Sequence, residues 1–559
     1  MRISRGRLKA TAGLAVLLCC VGAAAQQPVA PQPGRDRPLP EAAPQPDLDF
    51  TIQAPRRSPV PRAVEELTFD VKEVRVSGAT RYSQSDLRPL YQAVIGQTVH
   101  LADLIAIAEQ IEARYHQDGY VLTRAFVPTQ SVSDGVFQIT VVEGYVAAVA
   151  VQGGDQDTRE RIEKLLAPVT RDRPLRLTTL EGALLTANKL PGVTATGLLR
   201  PSATEPGASE LVVTAAETPI SGGLAADNMG AASTGRWTIA ADATAPSPLG
   251  DGGQISLNAS ADPADPHMRY SAGGHYTAPL ALLDGQTYTI TALGSHGEPG
   301  GTVASAGLVT NSTAFGARTT IPLIESREQE LSVDAGLTVQ SSDVQTHGLP
   351  SNHDEWRVFD AALTYQNNVW ADGATNMTLD VAQGIPSLGA TRPPDSGSSA
   401  TGSSDFTKFV AQIHRVQPIA GPISASLLVS GQYVNVPPVL GEEVSYGGQL
   451  IGRGYDPGSM TADLGLGGAF EARYDLEPAW FYAESAQAFL FADGAKVHNH
   501  DATRAIQDSE LASIGGGLRF TVEGNVQLGL MYGKALIGLP GNDEGRRTQR
   551  VMINTAVRF

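Results

Sequence analysis

The sequence predicts a membrane β-barrel preceded by two small β-α-α-β-β domains. Three observations predict it. From Ile220 onward the chain reads as strand after strand, with no helical period longer than a turn or two. Its last segment, residues 550–559, alternates apolar and polar side chains and ends on Phe559. Ahead of this region, residues 67–144 and 145–218 repeat one order of strand and helix periods, an internal repeat at the domain level.

The N-terminus explains how such a chain reaches a membrane. Arg2, Arg5, Arg7 and Lys9 precede a short apolar run, residues 14–21, and Ala23-Ala24-Ala25 offers a cleavage site before Gln26. Residues 1–25 are therefore read as a secretory signal peptide. The apolar run is too short to span a bilayer as a helix. Lipid attachment at Cys19 or Cys20 is disfavoured, because neither follows a small residue. Cleavage after Ala25 removes both cysteines, so the mature chain gains nothing from disulfides. It also leaves 37 basic against 58 acidic residues, a net charge of −21. That balance argues against nucleic acid, whose phosphates call for basic patches. No stretch of about 18 apolar residues follows the signal. A barrel needs none, because lipid-facing and lumen-facing side chains alternate along each strand.

The elements follow in order. Residues 26–66 form a linker in which prolines recur from Pro28 to Pro61, a composition that stays extended. Residues 69–76 alternate as a strand, and Ser83 is placed to cap a short helix. Leu101, Leu104, Ile105, Ala108, Ile111 and Tyr115 share one helical face, predicting a helix over 101–118 closed by Gly119. Strands follow near 121–127 and 136–142. The second copy has a strand near 146–151, helices near 158–166 and 178–189, and strands near 194–199 and 209–215. The barrel occupies residues 219–559, and about 21 residues per strand and loop gives sixteen strands.

Strand parity assigns the barrel faces. In 463–475, Leu464, Leu466, Phe470 and Tyr474 share one side, and Glu471 and Arg473 the other. In 484–493, Ala486, Ala488 and Leu490 face one way, and Phe489, Phe491 and Asp493 the other. In the last strand Val551, Ile553, Val557 and Phe559 oppose Arg550, Asn554 and Arg558. One side suits lipid and the other a wet lumen. A soluble β-sandwich alternates too, but only a closed barrel removes its edges and spans a membrane.

Several short motifs occur in a telling order. Gly119-Tyr120 precedes Pro128-Thr129-Gln130, and Asn188-Lys189-Leu190-Pro191-Gly192-Val193 follows in the second repeat. Asp227-Asn228-Met229-Gly230 and Thr234-Gly235 open the barrel region. Tyr446-Gly447-Gly448, Gly452-Arg453-Gly454-Tyr455 and Phe491-Ala492-Asp493-Gly494 lie in its last third. In this order and spacing the chain resembles the two-partner secretion transporters, the hemolysin secretion/activation type within the outer-membrane assembly-factor superfamily.

The resemblance implies a 16-stranded antiparallel transmembrane barrel behind two periplasmic POTRA domains. It implies an outer-membrane pore of a Gram-negative cell that recognises a partner exoprotein in the periplasm and secretes it unfolded. That exoprotein, adhesin-like or hemolysin-like, would carry an N-terminal secretion domain. The other expected partners are outer-membrane lipids and the barrel-assembly machinery, with Phe559 as the C-terminal assembly signal. No cofactor, metal or catalytic residue is expected. An insertase for other barrel proteins and a passive porin are the alternatives. Two departures stand out. Gly452 replaces an aliphatic residue, implying a looser loop tip. The proline-rich residues 26–66 are ill suited to the family's N-terminal plug helix.

The same residues carry a chemical expectation. Arg453 offers a planar, permanent cation that binds carboxylates bidentately. Asp493 and Phe491 face the lumen by parity. An Arg453–Asp493 ion pair, with Phe491 packed on the loop, would latch an inward-folded loop. Gly454 would permit a tight turn, and Tyr455 would anchor it. The sheet edges near 121–127 and 194–199 are candidates for capturing an unfolded segment as an added strand. Other motifs carry no chemistry. Gly529 to Lys534 is one residue short of a phosphate loop, and Ala535 replaces its hydroxyl residue. His498-Asn499-His500-Asp501 reads as a solvated loop rather than a metal site. No nucleophile motif appears.

Overall fold

The computed structural model describes residues 50–52, 67–130, 134–202, 204–246, 248–280, 282, 285–300, 304–305, 307–392, 402–477, 483–501, 507–522, 525–539 and 548–559. The signal peptide and nearly all of the proline-rich linker, where a plug helix would fall, lie outside them. The chain divides into two compact units at Thr218 and Pro219.

The first unit holds both repeats. Its strands are β1 (Phe50–Ile52), β2 (Thr68–Asp70), β3 (Glu73–Ser77), β4 (Thr98–His100), β5 (Arg124–Phe126), β6 (Val136–Val142), β7 (Tyr145–Gly153), β8 (Val193–Pro201) and β9 (Ala208–Glu217). In the first repeat β3, β6 and β5 form a sheet covered by helices Gln84–Tyr91 and Leu101–Gln117. Ser83 caps the first helix, exchanging side-chain and backbone bonds with Asp86. The helical face read from the sequence is the one that is buried, with Leu104, Ile111 and Tyr115 packed on Phe137 and Ile139. The second repeat orders its sheet β1-β8-β9-β7. It adds a short helix, Ala167–Arg171, between the two expected ones.

Glu143 fastens the end of the first repeat to its own helices and loop. Its carboxylate accepts the backbone N–H groups of Thr80 and Arg81, both at 2.8 Å, and the Tyr115 hydroxyl at 2.7 Å. Burial pushes its pKa up, but these donors outweigh burial and hold it below the usual carboxylate value. Backbone bonds join the two repeats, from Leu177 to Gly119 and from Leu175 to Gly144. Leu122 packs into the second core. That explains why the expected strand at 121–127 shortens to Arg124–Phe126.

The expected docking edge on β8 is occupied, and that on β5 is partly blocked. Phe50–Ile52, inside the predicted linker, forms a parallel strand on β8, pairing with Gly197, Leu198 and Leu199. Three residues between prolines carry no period for sequence reasoning to find. On β5, the Ala125 N–H is taken by the buried Glu112 carboxylate at 3.1 Å.

The second unit is a closed antiparallel barrel of sixteen strands. They are β10 (Ser221–Asp227), β11 (Thr238–Pro246), β12 (Gln254–Ala261), β13 (Arg269–Pro279), β14 (Thr287–Gly297), β15 (Leu308–Glu325), β16 (Gln329–Thr346), β17 (Leu349–Asn367), β18 (Ala374–Gly384), β19 (Thr407–Ala420), β20 (Ile423–Val434), β23 (Leu464–Leu476), β24 (Ser485–His498), β25 (Asp508–Val522), β26 (Val526–Ala535) and β27 (Gln549–Arg558). Sequential neighbours pair throughout, and β27 closes on β10. Only β20 and β23 are separated by further strands, the hairpin β21 (Val444–Tyr446) and β22 (Met460–Ala462). The Gly529–Lys534 motif lies within β26 and is no loop.

Every barrel strand exposes a large apolar side chain outward, from Leu224 on β10 through Phe315 and Leu490 to Ile553 on β27. Leu490 is 69% exposed while Asp493, three residues on, is 7% exposed. A continuous apolar belt around a closed barrel is a lipid-facing surface. Among the described residues no helix is long and apolar enough to cross a membrane. The strands cross it instead.

Candidate functional site

The segment between β20 and β23 turns back against the inner wall of the barrel. At its tip Arg453 is buried, and its guanidinium engages two carboxylates. Nε lies 2.9 Å from Asp493 on β24, and Nη1 lies 2.8 Å from Glu471 on β23. The ring of Phe491 lies under the guanidinium, 3.6 Å from Cζ to centroid. A planar cation over an aromatic face is attracted by the ring quadrupole. Asp493 also accepts the backbone N–H of Gly452 at 3.0 Å and the Ser513 hydroxyl.

Glu471 is the partner that sequence reasoning missed. Parity placed it in the lumen, but not beside the loop. It holds Arg473 at 2.7 Å and Arg519 at 2.6 Å as well as Arg453. Arg519 in turn covers Phe489 at 3.9 Å. Three guanidiniums therefore share two carboxylates. The cluster already carries one surplus positive charge, so neither carboxylate is dispensable.

The neighbouring residues fix the tip. Gly454 has ordinary backbone angles, so its role is close approach and not the tight turn expected of it. A Cβ there would sit 2.4 Å from the Ala535 nitrogen on the wall. Its N–H donates to Ser513 at 3.1 Å, and its carbonyl accepts the Thr548 hydroxyl at 2.6 Å. Tyr455 is buried, with its hydroxyl between the carbonyls of Ala512 (2.9 Å) and Ile537 (2.7 Å). The strained residue is Gly452, with φ +89°, where a Cβ would meet Gly447 at 2.9 Å. Gly452 therefore does not loosen the tip. It lets the tip pack, because only glycine adopts this left-handed conformation without steric cost.

In the His498–Asp501 segment both histidines are exposed, as expected of a solvated loop, but Asn499 is not. Asn499 is buried and accepts the Asp463 N–H at 3.3 Å, while His500 donates its N–H to Asp463 at 2.8 Å. These residues secure the far end of the loop. Among the described residues no group of three or more His, Cys, Asp or Glu is arranged to hold a metal. Phe559 ends beside β10, exchanging backbone bonds of 3.0 Å with Gly222.

Comparison with known proteins places this architecture. Residues 207–520 match the haemolysin secretion/activation protein ShlB/FhaC/HecB model, and residues 69–144 match the POTRA domain, ShlB-type. The chain belongs to the haemolysin secretion/activation family. Members similar to it include the hemolysin transporter protein HpmB of Proteus mirabilis, 30% identical over 43% of this chain and 42% of that one. The hemolysin transporter protein ShlB of Serratia marcescens is 27% identical over 70% of each chain. The outer membrane transporter CdiB of Dickeya dadantii is 24% identical over 84% of this chain and 82% of its own. The chain thus spans less than half of the first relative and most of the other two.

The solved structure of CdiB from Escherichia coli shares the fold, with a TM-score of 0.67 at 20% identity, over 93% of this chain and 94% of that one. BamA from Haemophilus ducreyi, lacking POTRA domains 1–3, has a TM-score of 0.54 at 14% identity, over 88% and 100%. As a member of the haemolysin secretion/activation family, the chain is a two-partner secretion transporter of the outer membrane. Its POTRA domains stand in the periplasm. The barrel end carrying both Ser221 and Phe559 therefore faces the periplasm, and the loop bearing Arg453 enters from outside.

Proposed function

We propose that this transporter takes an unfolded exoprotein from the periplasm on its POTRA domains and passes it through a barrel latched by Arg453. The partner carries an N-terminal secretion domain and is adhesin-like or hemolysin-like. Transport draws on cargo binding and on folding outside the cell, not on nucleotide hydrolysis. The observation that carries the reading is the buried Arg453–Asp493 pair, which holds an inward loop against the lumen wall. A loop so held blocks the pore until the pair is released.

Capture is by strand addition on the second POTRA domain. β8 runs for nine residues, and β1 covers three of them. A longer cargo strand makes more backbone bonds on the same edge and displaces β1 by exchange. The first POTRA domain is tied to the second through the backbone bonds of Leu175 to Gly144 and Leu177 to Gly119 and positions that edge.

Deleting residues 67–144 tests the capture step. Cargo binding should be lost while the barrel still inserts in the outer membrane. Undiminished cargo binding by the deleted form would refute the positioning role given to the first POTRA domain.

A further inference from the structure

The inward loop has a second buried attachment at its base. Glu442 lies in a short 3₁₀ turn, Leu440–Glu442, and is fully buried. One carboxylate oxygen lies 2.5 Å from Lys408 Nζ on β19, and the other accepts the Trp356 indole N–H of β17 at 3.0 Å. Apolar residues close around the pair: Trp356, Val358, Phe406, Val434 and Val439 are all buried together. Gly441 makes room for the indole, since a Cβ there would sit 2.4 Å from the ring.

The two ends of the loop are joined at this point. The Gln432 amide donates to the Glu442 carbonyl at 2.9 Å and to the Asp463 carbonyl at 3.1 Å. The β21–β22 hairpin rises from it, steadied by the Tyr446 hydroxyl on the Ser430 carbonyl at 2.9 Å. Beyond the hairpin the backbone character changes. Gly447, Gly448 and Gly458 have φ of +108°, +104° and +68° and flank the tip. The stem is fixed by a buried ion pair, and the tip is bounded by glycines.

We propose that Glu442 is the positioning residue of the gate: with Lys408 and Trp356 it anchors the loop stem while the Arg453 tip moves. The inference rests on the latch reading of Arg453. The physical reason for the division of labour is the set of partners left behind on release. Among the described residues Lys408 donates to Glu442 alone, so withdrawing the stem strands a buried ammonium. Removing the tip leaves Glu471 and Asp493 with Arg473, Arg519 and Ser513 still beside them. The tip therefore swings on its glycines, and the stem stays in the lumen as a partial constriction. Anchor and latch grip different arcs of the wall, β17 and β19 against β23 to β26.

The experiment is planar-bilayer conductance of the full-length protein as wild type, Asp493→Ala, Glu442→Gln and the double variant. Glu442→Gln keeps the side-chain size and an acceptor for Trp356 but removes the charge. With the tip still latched, it should conduct as wild type. Asp493→Ala should raise conductance to an intermediate level, the tip being loosened and the stem in place. The double variant should rise above that level, because the whole loop then leaves the lumen. Glu442→Asp combined with Asp493→Ala keeps the charge and should stay at the intermediate level. A double variant no different from Asp493→Ala overturns the anchor and leaves the latch standing. Wild-type conductance in Asp493→Ala itself sinks the latch. If Glu442→Gln loses the heat-modifiable gel mobility of a folded barrel, Trp356→Phe, which removes the indole donor and part of the buried ring, carries the same prediction.

Discussion

The Asp456 carboxylate of the loop tip lies 3.3 Å from the Arg550 guanidinium of β27, and this contact ties the inward loop to the strand that closes the barrel. The same carboxylate meets Arg236 at 3.3 Å and accepts the Ala232 N–H at 3.1 Å. β10 and β27 share five residue pairs, fewer than the seven of β10 and β11 or the nine of β26 and β27. Side chains continue the seam where backbone pairing stops. Asn228 bonds the Val551 carbonyl and the Ile553 N–H, and Arg550 reaches the Met229 and Gly230 carbonyls. Asp456→Ala should weaken the seam by about 1 kcal/mol, since the pair is partly exposed and screened. The measurement is the temperature at which the folded barrel loses its compact gel mobility. An unchanged temperature would contradict the role given to Asp456.

Gly454→Ala tests close approach at the tip. The added methyl would sit 2.4 Å from the Ala535 nitrogen, against backbone that cannot rotate away. Overpacking of this kind costs roughly 1–3 kcal/mol. The tip should lift from the wall and the channel should conduct more, with barrel stability nearly unchanged. Wild-type conductance would show that the wall yields at this point.

The β1 strand gives a prediction about capture. Thr51→Pro removes a backbone donor and disfavours pairing on β8. The amides of 197–199 that point towards β1, rather than those bonded to β9, should exchange hydrogen faster in the variant, and a peptide from the cargo's secretion domain should bind more tightly. Unchanged protection at those β1-facing amides would show that β1 does not guard the edge.

Glu143 makes the stability of the first POTRA domain depend on pH. Its folded pKa is lowered, so its contribution is fully present above the unfolded value of about 4.5 and disappears as pH falls through the folded value. Glu143→Ala should cost about 1–3 kcal/mol in the POTRA unit at pH 7, because donors from Thr80, Arg81 and Tyr115 lose their acceptor. The gap between wild type and variant in calorimetric melting should close in acid. A gap that persists well below pH 4 would point to packing, not charge.

Local periodicity carried most of the fold. The helical face of 101–117, the Ser83 cap and the inward Asp493 all follow from spacing within one element. What was not legible depends on register between distant strands. Glu471 meets Arg453 because Ala469 pairs with Asp493 and Glu471 with Phe491, and no local pattern sets that alignment. The Glu442–Lys408 pair spans 34 residues and three elements, and β1 rests on one neighbour at the edge of a sheet. Gly454 and Gly452 were read as turn and slack. Their true reasons, an approaching wall and a left-handed backbone, are properties of the packed state. Parity found the faces, and packing chose the partners.

We propose that Arg453 on Asp493 holds the pore closed. Breaking a buried pair by removing one partner costs roughly 3–5 kcal/mol, and here it also leaves two surplus guanidinium charges around Glu471. The most direct measurement is secretion and single-channel conductance of Asp493→Ala in the full-length protein. The variant should form a folded barrel with raised conductance and weakened secretion of the partner. Wild-type values for both would contradict the proposal.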